Sequence, residues 1–112
     1  DILVNINKLF ESKVRLGIMS MLMVNDSVDF NSLKTHLDVT DGNLASHIAS
    51  LEKAKYIKVN KSFIGKKPNT TYSVSATGRR SFNEHLDFLS STIFSSGQKN
   101  LARIFLFSSL SE

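Results

Sequence analysis

A series of short polar side chains, Thr40, Asn43, Ser46, His47 and Ser50, leads into a block in which every charge is positive. Between Lys53 and Arg80 stand eight of the fourteen Lys and Arg residues (Lys53, Lys55, Lys58, Lys61, Lys66, Lys67, Arg79, Arg80) and no Asp or Glu. Charge segregated this sharply suits a surface laid against a polyanion, and nucleic acid is the first candidate. The signal lies in the clustering, because over the whole chain the excess of Lys plus Arg over Asp plus Glu is only 14 − 10 = 4.

Other chemistries find little support. The three histidines, His36, His47 and His85, fall on separate predicted helices, and no Ser stands in a nucleophile-elbow context such as GxSxG. Glu84, His85 and Asp87 do not have the spacing of HExxH or of a comparable ligand set. The absence of cysteine removes disulfides, thiolate metal sites and thiol redox switching. The expectation is therefore a chain that is not an enzyme and uses no cofactor or metal. The glycines are too scattered to cradle a nucleotide phosphate.

With 112 residues and 41% apolar content, the chain can bury one modest core. Its apolar stretches fall well short of the roughly 20 residues that span a bilayer, and its start lacks the basic-then-apolar order of a signal peptide. A cytoplasmic location without membrane association is expected.

The elements that must position the polar series follow from periodicity and capping. Apolar residues recur from Ile6 through Phe10, Val14, Ile18, Met21 and Leu22, predicting a first helix that ends near Asn25. After a turn at Asn25–Ser27, Val28–Phe30 is long enough only for a stub of strand. Asn31 can cap a short second helix carrying Leu33 and Leu37 on one face and stopping around Asp38.

Thr40 is placed to cap a third helix over about 41–54, with Asp41 favouring its positive end. Leu44, Ile48 and Leu51 form its buried stripe, with Ala45 and Ala54 filling closer contacts, so Asn43, Ser46, His47 and Ser50 face outward. Two alternating segments over about 57–75 predict a hairpin whose six-residue loop, Ile64 to Asn69, projects as a flexible basic tip. Ser75 can cap a fourth helix with Phe82, Leu86, Leu89 and Ile93 at helical spacing. The composition then shifts at Ser95–Gly97, dividing the chain into a domain at 1–92 and an apolar tail at 93–112.

Two short helices joined by a tight turn, the second polar outside and followed by a basic hairpin, make the winged form of helix-turn-helix, an α+β fold that is mostly helical. Residues Leu33–Tyr56 (LKTHLDVTDGNLASHIASLEKAKY) and Thr70–Arg80 (TTYSVSATGRR) resemble bacterial and archaeal winged-helix transcriptional regulators of the MarR and ArsR groups. The resemblance spans roughly Phe10 to Leu89. It implies binding of double-stranded DNA, with the third helix in the major groove and the hairpin as the wing. It also implies a homodimer on paired half-sites.

For such a helix, Asn43 suits bidentate pairing with adenine, Ser46 and Ser50 adapt to several base edges, and His47 can donate to a base or phosphate. Gly42 permits close approach of the helix start, and Thr40 caps it. Lys61, Lys66 and Lys67 would meet phosphates or enter a minor groove, contacts that bind without choosing a sequence. Expected dimer surfaces are the first helix with Ile2, Leu3 and Ile6, the end of the fourth helix with Phe88 and Ile93, and the tail residues Leu101, Ile104, Phe105 and Phe107. The competing expectation is a winged-helix module that binds a protein, and no residue pattern locates a small-molecule effector site.

Overall fold

The computed structural model describes residues 7–93, with the backbone alone for 91–93. Ile2, Leu3, Ile6 and the tail from 94 onward lie outside the described residues, as does the side chain of Ile93. The order is a 3-10 turn at Lys8–Phe10, α1 at Lys13–Val24, β1 at Val28–Asp29, α2 at Phe30–Leu37, α3 at Asp41–Lys53, β2 at Ile57–Ile64, β3 at Lys67–Val74 and α4 at Ala76–Ile93. The strands form one antiparallel sheet in the order β1-β3-β2. This is the α+β winged helix expected from the sequence.

Three boundaries differ from expectation, each for a local reason. The stretch before Asn25 is not one helix, because two caps divide it. Asn7 accepts from the Leu9 amide (3.0 Å) and Ser12 from the Arg15 amide (3.3 Å), so α1 proper starts at Lys13. Phe10, left ahead of the break, is still buried, with its ring 5.4 Å from Phe82 and 5.6 Å from Tyr56.

Asp29 rather than Asn31 caps α2, accepting from the amide and the hydroxyl of Ser32. Pairing with Thr71 holds Asp29 in the extended conformation that a cap requires, and Phe30 becomes the first helical residue instead of the last of the strand. The hairpin loop is also shorter than six residues. Ile64 pairs with Lys67, leaving Gly65 and Lys66 as a two-residue turn. Gly65 adopts φ +63°, which a glycine at the first turn position does without steric cost. Pro68 is accommodated within β3 because β1 reaches only Thr71 and Tyr72, so β3 has one partner strand at that level.

The core gathers Ile18, Met19 and Leu22 of α1, Leu33 of α2, Leu44, Ile48 and Leu51 of α3, Val28, Ile57 and Tyr72 of the sheet, and Phe82 and Leu86 of α4. Asp38, at φ 53°, ends α2 and turns the chain into α3. At the far end of α3, Lys55 takes φ 65°, which lets the Tyr56 amide reach back to the Leu51 carbonyl (3.0 Å).

Ser75 joins this exit to α4. Its hydroxyl donates to the Lys55 carbonyl (2.6 Å) and accepts from the Gly78 amide (2.9 Å), and its own amide donates to the Tyr56 carbonyl (3.0 Å). A Cβ at Gly78 would collide with that same carbonyl, so the close approach of α4 requires glycine.

Candidate nucleic-acid interface

The attitude of α3 is fixed on its inner side and at its start. Leu44 and Leu51 are 0% exposed and Ile48 is 6% exposed, and burying each such side chain contributes roughly 1.5–3 kcal/mol. Thr40 Oγ1 accepts from the Asn43 amide (3.2 Å), as the sequence predicts. Lys34 of α2 pairs with Asp41 (2.7 Å), an exposed contact that contributes little stability but offsets the acid at the helix start.

The outer side of α3 is made of small residues. Gly42, Asn43, Ala45, Ser46 and Ala49 are exposed, whereas His47 and Ser50 are half-buried. A Cβ at Gly42 would meet nothing within 4 Å, so packing does not demand glycine there. Ala45 departs from expectation, since it is exposed and does not fill a core contact. The Ser50 hydroxyl donates to the Ser46 carbonyl (3.2 Å), leaving its oxygen as an acceptor.

His47 is held by a partner that the sequence gives no reason to expect. Its Nδ1 lies 2.9 Å from Nη1 of Arg15, and the Arg15 guanidinium also donates to the carbonyls of Leu9 and Lys8. A guanidinium only donates, so Nδ1 must accept and the ring proton sits on Nε2. Burial, and then the charge of Arg15, lower the His47 pKa, which reinforces the neutral ring. His47 therefore offers a single N–H donor of fixed tautomer, suited to an acceptor such as a purine N7 or a phosphate oxygen.

The hairpin carries its residues on two faces of period two. One face runs Ile57, Val59, Lys61, Phe63 opposite Val74, Tyr72, Thr70, Pro68. The other runs Lys58, Asn60, Ser62, Ile64 opposite Ser73, Thr71, Asn69, Lys67. An open groove of about 270 Å³ separates α3 from the first face, with Ala45, Ala49 and Glu52 on one wall and Val59, Lys61 and Thr70 on the other.

Lys61 thus shares a groove with Ala45, Ala49 and Glu52 of α3, whereas Asn43, Ser46, His47 and Ser50 do not line it. Lys67 belongs to the opposite hairpin face and Lys66 to the turn, both exposed. The proposed contact residues therefore divide into an α3 group with Lys61 beside it and a separate pair of lysines at the wing tip.

Four residues of this surface escaped the sequence reading. Arg15 acts on His47 from 32 positions away, which no local spacing reveals. Ala45 and Ala49 are too small for their burial to be read from type. Glu52 places a carboxylate in the groove that Lys61 also lines, where it adds to burial in raising the Tyr72 pKa. Among the described residues there is no group of three or more potential metal ligands, and no helix is long and apolar enough to cross a membrane.

Comparison with known proteins agrees with this fold. The family model for the winged helix DNA-binding domain matches residues 14–93. An uncharacterised protein of Methanocaldococcus jannaschii is 34% identical over 79 residues, covering 70% of this chain and 86% of that protein. The solved structure of a transcriptional regulator homologue from Pyrococcus horikoshii OT3 superposes with a TM-score of 0.66 at 31% identity, over 77% of this chain and 90% of that one. A MarR-family transcriptional regulator from Silicibacter pomeroyi has a TM-score of 0.60 over 91% of this chain and 71% of its own, and at 11% identity it attests the fold alone.

Proposed function

The chain belongs to the winged helix DNA-binding domain family, and from that premise we propose that it is a sequence-specific transcriptional regulator of double-stranded DNA. In this reading α3 lies in the major groove. Asn43, Ser46 and Ser50 meet base edges, His47 donates through Nε2, and Thr40 and Gly42 bring the helix start close to the backbone. Lys61, Lys66 and Lys67 meet phosphates along the wing.

The supporting observation is the groove in which Lys61 faces Ala45 and Ala49. In this reading a single duplex reaches both α3 and the wing face that carries Lys61, which opens onto the same groove as Ala45 and Ala49. Small residues on α3 favour this use, because they let the helix backbone approach base edges closely. The reading includes a twofold homodimer on half-sites about 34–36 Å apart, with the tail at 93–112 as part of the subunit contact.

The test is fluorescence anisotropy against duplexes selected from genomic fragments, repeated over a range of salt. Binding whose log affinity falls with log salt by about 0.9 per neutralised phosphate supports the reading. No duplex binding at about 50 mM salt would assign the surface to a protein partner.

A further inference from the structure

Two of the three large apolar side chains exposed among the described residues are consecutive at the wing tip, Phe63 at 72% and Ile64 at 70% exposure. Nothing in the fold explains them. Burial along β2 falls from Ile57, buried, through Val59, half-buried, to full exposure from Asn60 onward, so the tip makes no contribution to the core.

The register separates the pair. Phe63 lies on the α3 side of the hairpin, two residues beyond Lys61 and opposite Pro68, whereas Ile64 lies on the other side opposite Lys67. One strand repeat is about 6.8 Å, so the Phe63 ring stands just past the lysine that lines the α3 groove. Pro68 across the ladder gives the ring a stiff neighbour.

Charge decides what covers this ring. Every charged side chain in the hairpin is a lysine, and no acid occurs between Lys53 and Arg80. A protein interface tends to lose lysine at its centre, while a duplex offers phosphates for the lysines and sugar and base surfaces for the ring. We propose that Phe63 is an apolar wedge that enters the minor groove beside the site occupied by α3 and partly unstacks one base step, with Lys61, Lys66 and Lys67 on the flanking phosphates. The inference rests on the duplex binding proposed above. It adds a specificity element, because steps that unstack easily, such as TA and CA, are the ones that accept a wedge at low cost.

The experiment uses the full chain and a selected duplex carrying 2-aminopurine at successive positions flanking the α3 footprint. Wild-type binding should raise 2-aminopurine emission at one flanking step. Phe63→Ala should abolish that rise and weaken binding about tenfold while leaving the salt slope and the thermal midpoint unchanged. Phe63→Trp should restore both signals. An unchanged affinity and emission in Phe63→Ala overturns the wedge while the duplex-binding reading stands, whereas a wild-type chain that binds no duplex overturns that reading too. A loss of dimer mass in Phe63→Ala, by light scattering, would overturn the wedge in favour of a second copy of the chain as the ring's partner.

Discussion

The outer side of α3 and the tip of the wing are both exposed, yet they are built in opposite ways. The α3 surface presents Gly42, Asn43, Ala45, Ser46 and Ala49 on a helix whose inner side is sealed by Leu44, Ile48 and Leu51. The wing tip presents long lysines and two large apolar side chains on a two-stranded ribbon with no core beneath it. Short side chains on a fixed helix lose little entropy when they engage base edges, so on the proposed function discrimination is assigned there. Long charged side chains on an unsupported ribbon follow phosphates wherever they lie, so on the proposed function the lysines of the wing supply affinity without choice.

The strongest challenge to this contrast is to loosen the support. Leu44→Ala should cost about 2–5 kcal/mol in urea denaturation, because a fully buried leucine leaves a cavity, and base discrimination should fall with it. A cost below about 1 kcal/mol would mean that α3 is held by something other than its buried stripe.

A finer challenge is Asn43→Ala, expected to lower the preference for the selected site by about 1–3 kcal/mol in competition anisotropy without changing stability. Discrimination left intact would place the base-reading surface elsewhere. Changing Lys66 and Lys67 together to Ala should weaken binding to all duplexes alike and reduce the salt slope by about 1 for each lost phosphate contact. A sequence-dependent loss would transfer discrimination to the wing.

The mildest expected effect is on pH. Burial lowers the pKa of both His47 and His85, and His85 Nδ1 finds no partner beside the Phe10 ring, 5.1 Å away. The native state therefore binds fewer protons than the unfolded chain. Stability should be complete above the ordinary value near 6.5 and decline as pH falls from there towards the depressed native values. Thermal midpoints between pH 8 and 5 check this, and His47→Gln should remove part of the decline.

What the sequence reveals, and what it hides, divides along the range of the forces involved. The bounds of α3 were legible because Thr40 and the Leu44, Ile48, Leu51 spacing act within a few residues. The cap of α2 was misplaced because Asp29 and Asn31 are both competent, and a sheet partner 42 positions away, Thr71, decides between them. Ala45 was misjudged because alanine packs in a core and lies on a surface with nearly equal ease. The wing loop looks longer from sequence than it is because Gly65, Pro68 and Asn69 are turn-forming types, and the φ of Gly65 is what lets Ile64 and Lys67 pair. Of the surface, the polar residues of α3 were readable by phase, whereas the tautomer of His47 depended on Arg15.

The fastening of Ser75 to Lys55, with Gly78 pressed against Tyr56, makes the departure of one helix and the origin of another a single mechanical joint. A tilt of α4 about its first turn would strain the Ser75 to Lys55 link, so a partner that gripped α4 would pull on the residues that directly follow α3.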